Sequence, residues 1–225
     1  MENPGKTLFW AAIVCLFTAN PVQAEEPLQG EELVPVEETI EAPELAEIEE
    51  GAQTEELVIA DFDTGDKPTN LGGDFGSWDK DPNDDTQGAD MSFVSDDALG
   101  NAEGYSLRID YDVDSPNPAY NGFWMKLNGL DATGHHTINF YLKGEVEAGF
   151  TKRLKVELKD MSNTASPYVV TGITDQWQKI SVPLEKFRQV TDWSGLNELV
   201  LVFDDINSSP KTGAILLDQV TLSHE

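Results

Sequence analysis

The sequence predicts an all-β fold, an antiparallel β-sandwich of the jelly-roll type. Three observations predict it. Short stretches alternate apolar and polar residues, the pattern of strands with one buried face. Turn-rich stretches, "DSPNPAYNG", "NGLDATGHH" and "NSSPKTG", separate them, at roughly ten-residue spacing. No long amphipathic helix occurs after residue 57. The 168 residues from Val58 to Glu225 suit about eight to ten strands.

Two segments precede that domain. Residues 1–24 read as a signal peptide: Lys6 supplies a positive charge, and Leu8 to Ala19 ("LFWAAIVCLFTA") is apolar but shorter than the roughly 20 residues of a membrane-spanning helix. Val22 and Ala24 give a small-residue cleavage pattern. An uncleaved anchor is the rival reading. The single cysteine, Cys15, excludes an internal disulfide framework. Cleavage after Ala24 leaves a mature chain without a thiol, which suits a secreted or periplasmic protein of a bacterial cell envelope.

Residues 25–57 hold thirteen glutamates and no lysine, arginine or aromatic residue. Such a segment cannot bury enough apolar area to offset the entropy of ordering. It is expected to be a disordered acidic linker, with an interaction tail for a protein partner as the alternative. The formal net charge of -28 repels nucleic acid and anionic membrane surfaces, so neither is an expected partner once the signal is removed.

From Val58 the strands follow in order. "VIADFDTG" opens the domain. "YSLRIDYDV" sets Leu107, Ile109 and Tyr111 against Arg108, Asp110 and Asp112. "NGFWMKLNG" sets Phe123, Met125 and Leu127 against Trp124, Lys126 and Asn128. "TINFYLKG" sets Ile138, Phe140 and Leu142 against Asn139, Tyr141 and Lys143. "RLKVELKD" sets Leu154, Val156 and Leu158 against Lys155, Glu157 and Lys159. "WQKISVPL" reads as an edge strand, or one ending at Pro183, and "PLEKFRQV" as one short helical turn. "NELVLVFDD" and "AILLDQVTL" are almost continuously apolar, as strands covered on both sides are. "DKDPNDDTQGAD" is acidic but lacks the glutamate at the last position of a helix-loop-helix calcium loop, and is read as a solvated loop.

If the strands share a register, one open face carries Arg108, Asp110, Trp124, Lys126, Tyr141, Lys143, Lys155 and Glu157. An aromatic among charged and amide groups suits a sugar: ring C–H bonds stack on the π-face while hydroxyls find hydrogen bonds at the flanks. Trp124 and Tyr141 are the strand candidates. Trp78, Tyr120 and Tyr168 are expected in loops or strand ends that rim the groove. Trp177 and Trp193 are weaker candidates. For any one aromatic the plainer alternative is partial burial under a loop. Asp110 and Glu157 could instead form the carboxylate pair of a glycoside hydrolase, which needs roughly 5 to 10 Å between them.

Asp218 lies inside an apolar run, where a lone buried charge is costly. Asp61 and Asp63 lie in the first strand, and first and last strands are often neighbours in such sandwiches. A structural calcium ion ligated by Asp61, Asp63 and Asp218 removes that cost. The alternative is an Asp218 that faces solvent, bonds a turn or pairs with a lysine. His135 and His136 adjoin in a turn and make a weak metal motif.

The strings "ADFDTG", "NLGGDFG", "NGFWMKL", "YVVTGITDQWQKISVPLEKFRQVTDW" and "TGAILLDQVTL", from about Ile59 to Leu222, resemble the family 11 carbohydrate-binding modules of the galactose-binding-like jelly-roll superfamily. The pattern from Trp177 to Phe187 is the most specific part. Similar strings occur in domains related to the complex I intermediate-associated protein 30. The resemblance implies a non-catalytic sandwich that binds a polysaccharide or oligosaccharide, such as a β-glucan chain, in a concave cleft and carries structural calcium. By position it makes Trp124 a cleft aromatic, puts Asp61 or Asp63 with Asp218 on the calcium-associated strands, and sets Trp193 near the cleft. Phe123 and Val170 stand where the family has tyrosines. The leading expectation is a secreted carbohydrate-binding module on an acidic tether. The alternatives are an envelope assembly factor that binds a polypeptide on the same face, and a small glycoside hydrolase or lyase.

Overall fold

The computed structural model describes residues 56–225, except residue 102 and the side chain of Asn101. The expected signal peptide and nearly all of the expected linker lie outside the described residues. The first strand, β1 (Leu57–Ala60), opens slightly earlier than the sequence reading placed it and ends before Asp61 and Asp63, which were expected in it and follow it instead. Glu56, just before it, accepts hydrogen bonds from Lys179 Nζ at 2.7 Å and Thr221 Oγ1 at 2.6 Å.

Ten more strands follow: β2 (Phe75–Asp79), β3 (Gly88–Val94), β4 (Ser106–Asp112), β5 (Tyr120–Leu130), β6 (Thr137–Gly144), β7 (Arg153–Asp160), β8 (Ala165–Thr171), β9 (Gln178–Pro183), β10 (Leu196–Asp204) and β11 (Thr212–Ser223). The predicted helical turn is a 3-10 turn, Leu184–Lys186. Among the described residues no helix is long and apolar enough to cross a membrane.

The strands form two antiparallel sheets. The first has the order β3-β4-β11-β6-β9, and β1 also pairs with β11. Strand β11 is long enough for β4 to take its first half and β1 its second. The second sheet has the order β2-β5-β10-β7-β8. The two nearly continuous apolar strings, β10 and β11, are thus the central strands of their sheets, and their residues are buried almost throughout. A strand with a neighbour on each edge and cover on each face has no solvated side to make polar. The expected edge strand, β9, is an edge and ends at Pro183, where a missing N–H is harmless.

Between the sheets lies one core, built from the apolar sets the alternation picks out. Leu107, Ile109, Ile138, Phe140, Leu142, Ile215 and Leu217 come from the first sheet. Phe123, Met125, Leu127, Leu154, Val156, Leu158, Leu199, Leu201 and Phe203 come from the second. Tyr111 of β4 stacks on Phe203 of β10, with centroids 4.2 Å apart and planes 5° from parallel, joining the sheets by an aromatic contact. Three strands escaped the sequence reading, β2, β3 and β8. Of the three aromatics expected in loops or strand ends, Trp78 lies near the end of β2 and Tyr120 opens β5, whereas Tyr168 lies inside β8.

Candidate functional site

On β5 the phase is unambiguous. Phe123, Met125 and Leu127 are fully buried in the core, while Trp124 and Lys126 are partly exposed on the other side. Strand register then arranges the outer face of the second sheet in rows. Trp124 of β5 pairs with Val200 of β10, and Val200 pairs with Glu157 of β7. In the next row Lys126, Glu198 and Lys159 lie side by side in the same way. On the other side Gly122, Val202 and Lys155 do so, and Trp78 of β2 stands opposite Gly122.

These rows make a cleft of about 340 Å³ lined by Trp78, Trp124, Lys126, Glu157, Lys159, Glu198 and Val200. Its wall depends on a glycine. Gly76 pairs with Trp124 across β2 and β5, and a Cβ placed there would lie 3.2 Å from indole atoms Cζ2 and Nε1. The absent side chain lets the indole lie along β2. Val200 forms an apolar floor. Lys126 Nζ sits 5.5 Å from the Trp124 ring centroid, a cation–π contact that steadies both side chains. Trp78 packs edge-on against Tyr120 at 5.8 Å, and Lys80 Nζ lies 5.1 Å from the Tyr120 ring.

Charges in the cleft are paired. Glu198 accepts from Lys126 Nζ and, at 2.6 Å, from Lys159 Nζ. Burial works to raise the Glu198 carboxyl, but the hydrogen bonds from the two lysines hold it below the usual carboxylate range. Lys155 Nζ reaches Asp204 at 3.2 Å. Glu157 makes no ion pair among the described residues.

The structure therefore brings Trp124, Trp78, Tyr120 and Glu157 to one face, and Lys126 and Lys155 with them. It separates the other candidates. Arg108 and Asp110 lie on β4 and Tyr141 and Lys143 on β6, all in the first sheet. Their outward side chains point away from the cleft, across the thickness of the sandwich. The single shared face expected from alternation is thus two faces, because a period-two pattern gives the phase of a strand but not its sheet. On that far face Arg108 pairs with Asp110 at 2.7 Å and with Glu145 at 3.4 Å.

Tyr168 is a second correction. It pairs in register with Val156, a core residue, and packs against the core and the Phe187 ring at 6.2 Å. It does not rim the groove. Phe123 and Val170, the two departures from the family pattern, are also interior. Trp193 is partly buried against the core and lines a separate hollow of about 530 Å³ with His135, His136 and Glu185. Sequence reasoning missed Lys159, Glu198 and Val200 as cleft residues. The alternation of "RLKVELKD" had placed Lys159 outward, but nothing in "NELVLVFDD" marks Val200 as the floor of a cleft.

The three aspartates expected to hold calcium are near one another. Asp218 is buried and its carboxyl is pushed up to about 6, first by burial and then by Asp63 and Asp61. Desolvation and Asp61 raise Asp63. None of the three pairs with a lysine or arginine among the described residues. The donor chemistry fits a hard cation. The oxygens, however, turn elsewhere: Asp218 accepts from the N–H of Leu99 at 3.1 Å and of Gln219 at 2.7 Å, and Asp61 from Asn70 Nδ2 at 2.6 Å. Among the described residues no group of three or more histidine, cysteine, aspartate or glutamate side chains stands in a metal-holding arrangement.

No family model matches the chain, and no curated protein matches it. Solved structures do. The family 11 carbohydrate-binding module of a cellulosomal cellulase of Clostridium thermocellum aligns over 76% of this chain and 95% of its own, with 16% identity and a TM-score of 0.53. The module from the same organism in complex with a β-1,3-1,4-mixed-linked tetrasaccharide aligns over 75% and 95%, at 16% identity and a TM-score of 0.53. An exo-β-agarase aligns over 75% of this chain but 25% of its own, at 11% identity and a TM-score of 0.54. Identities this low speak to architecture alone, and in architecture the chain has the β-sandwich fold of the family 11 carbohydrate-binding modules.

Proposed function

We propose that the chain is a secreted, non-catalytic carbohydrate-binding module whose ligand, a polysaccharide or oligosaccharide of β-glucan type, lies across the outer face of the second sheet. One observation carries this reading: the Trp124 indole, laid along Gly76 and beside the apolar Val200, is flanked within one cleft by Lys126, Glu157, Lys159 and Glu198. The indole offers a stacking surface and the charged groups offer hydrogen bonds to hydroxyls. A module of the same fold is found with a mixed-linked tetrasaccharide bound.

Binding is favoured over hydrolysis by the placement of carboxylates. Asp110 and Glu157 lie on opposite outer faces of the sandwich, whose sheets alone pack about 10 Å apart. They cannot flank one glycosidic bond. Glu198 shares the cleft with Glu157 but is held ionised by two lysines, whereas a general acid needs a raised pKa.

Affinity electrophoresis against a panel of glucans tests the reading. Trp124→Ala should weaken binding by about 2 kcal/mol, roughly 30-fold, with unfolding temperature nearly unchanged. Retention equal to that of the parent chain would remove the cleft from the proposal. Capture of a polypeptide by the same face, with no retention on any glycan, would favour the assembly-factor alternative.

The reading includes a signal peptide over residues 1–24, an acidic linker from residue 25 toward the start of β1, and a structural calcium ion at Asp61, Asp63 and Asp218. For the ion, the support is a buried carboxylate with two carboxylates close by and no cationic partner among the described residues. Calcium should raise the unfolding temperature of the parent chain more than that of Asp218→Asn. An equal rise in both rejects this site.

A further inference from the structure

One charge in the cleft has no counterpart among the described residues. Glu157 is half-buried on β7 and lines the cleft with Trp124 and Val200. Residues two apart on a strand share a face, so Lys155 and Lys159 are the cations placed to neutralise it. Both are engaged elsewhere. Lys155 Nζ reaches Asp204 at 3.2 Å, and Lys159 Nζ reaches Glu198 at 2.6 Å. Lys126, the other lysine lining the cleft, also binds Glu198. Across the sheet Glu157 stands between Val200 of β10 and Pro167 of β8. A valine side chain has no polar atom, and a proline has neither a side-chain donor nor a backbone N–H. The Glu157 carboxylate is thus left without an ion-pair or side-chain hydrogen-bond partner among the described residues.

That charge sits in an acidic molecule, with 14 lysines and arginines against 42 aspartates and glutamates. The summed field draws cations in and keeps anions out. A glycan bearing carboxylates or sulfates is repelled at a distance and meets a bare carboxylate on arrival. A neutral glycan can donate hydroxyls to Glu157 but leaves its charge uncompensated. A protonated amine supplies the donor and the charge together, and a hydrogen bond between two ionised groups is the stronger kind. The lysines of the cleft would oppose such a ligand if they were unpaired. Their pairing with Glu198 and Asp204 cancels most of that repulsion.

We infer that the cleft takes a cationic amino-sugar chain of the β-linked glucosamine type, with a ring ammonium on the Glu157 carboxylate; this rests on the cleft being the glycan site. The backbone remains that of a β-glucan, with an amine in place of one hydroxyl on each ring. Trp124, Val200 and Glu157 form one row across three strands, so the indole and the carboxylate are two strand spacings apart, about 10 Å. That span is longer than one sugar ring. One ring stacks on Trp124, and the next, above the apolar Val200, presents its amine to Glu157. The indole then sets where the chain lies, and Glu157 sets which chain is preferred.

The test is calorimetric titration of the full chain with three oligosaccharides of equal length and the same β-linked backbone, bearing an ammonium, an acetamide or a hydroxyl at the same ring position. The pH is set above the carboxylate range and below that of the ligand amine. The parent should bind the ammonium chain roughly tenfold tighter than the hydroxyl chain, with the acetamide chain no better than the hydroxyl one, and added salt should shrink the preference. Glu157→Gln is isosteric and should bring the ratio of the two affinities close to one. Trp124→Ala should weaken binding of both chains. Equal parent affinity for the ammonium and hydroxyl chains, both weakened by Trp124→Ala, overturns the inference and leaves the cleft standing as a glycan site. A preference that survives Glu157→Gln belongs to the field of the whole chain and overturns it too. If the parent binds none of the three, or if Trp124→Ala leaves all binding intact, the cleft fails as the glycan site and the inference falls with it.

Discussion

Trp124 and Phe123 adjoin in sequence and stand on opposite faces of β5, and that contrast was legible because every second residue of "NGFWMKL" changes polarity. The rule gives no answer at Tyr168. In "ASPYVVT" a valine faces outward at 169 and another inward at 170, so the string has no contrast from which to read a phase. Nor does alternation reveal Gly76. A missing side chain in β2 shapes the wall of a cleft whose aromatic lies on β5, and only register links the two. Gly76→Val should therefore act on Trp124. The added Cβ already meets indole atoms at 3.2 Å, and a branched side chain displaces the ring from β2. Glycan affinity should fall roughly tenfold while the far-ultraviolet circular dichroism stays that of the parent. An unaltered affinity, measured by the same electrophoresis, would mean that the ring position is irrelevant to binding.

The strands that sequence reading found are those whose residues alternate in polarity or run continuously apolar; the ones it missed show neither pattern. Strand β2 ("FGSWD") is broken by Gly76 and Ser77, β3 ("GADMSFV") mixes both characters, and β8 contains Pro167. Strands of either kind are also held by side-chain bonding at their ends. Asp160, the last residue of β7 and buried, accepts from Ser162 Oγ at 2.5 Å, from the N–H groups of Thr191 and Ser162 at 2.9 Å, and from Thr191 Oγ1 at 3.0 Å. It ties β7 to the segment that enters β10. The Ser162 hydroxyl, then the Thr191 and Ser162 amides, hold its carboxyl well below the usual range. An aspartate in the unfolded chain titrates near pH 4. The unfolded chain thus binds the proton first, so this contribution is full above about pH 5 and is lost as pH falls toward the folded value. Asp160→Asn should lower the unfolding temperature at neutral pH and flatten its decline between about pH 5 and 3. A decline as steep as the parent's would locate the acid sensitivity elsewhere.

At the scale of the molecule, the sandwich presents two polar faces that a strand-by-strand reading merges into one. Nothing in "YSLRIDYDV" or "RLKVELKD" tells which central strand each will pair with; that depends on contacts distant in sequence, β4 with β11 and β7 with β10. The class of fold needs only local alternation and turns, which is why it was readable when the composition of each face was not. The division has a functional consequence that can be measured. Arg108→Ala and Tyr141→Ala alter the first sheet's face, on the far side of the core from the cleft. The ion pairs that Arg108 loses, with Asp110 and Glu145, are partly exposed and worth at most about 1 kcal/mol. Both variants should keep glycan affinity within roughly twofold of the parent, because distant sites act independently. Trp78→Ala, on the cleft side, should weaken it by roughly tenfold. If Arg108→Ala or Tyr141→Ala abolished retention while Trp78→Ala left it intact, the ligand would belong to the opposite face, and the row of Trp124, Val200 and Glu157 would be a structural feature of the second sheet rather than its binding site.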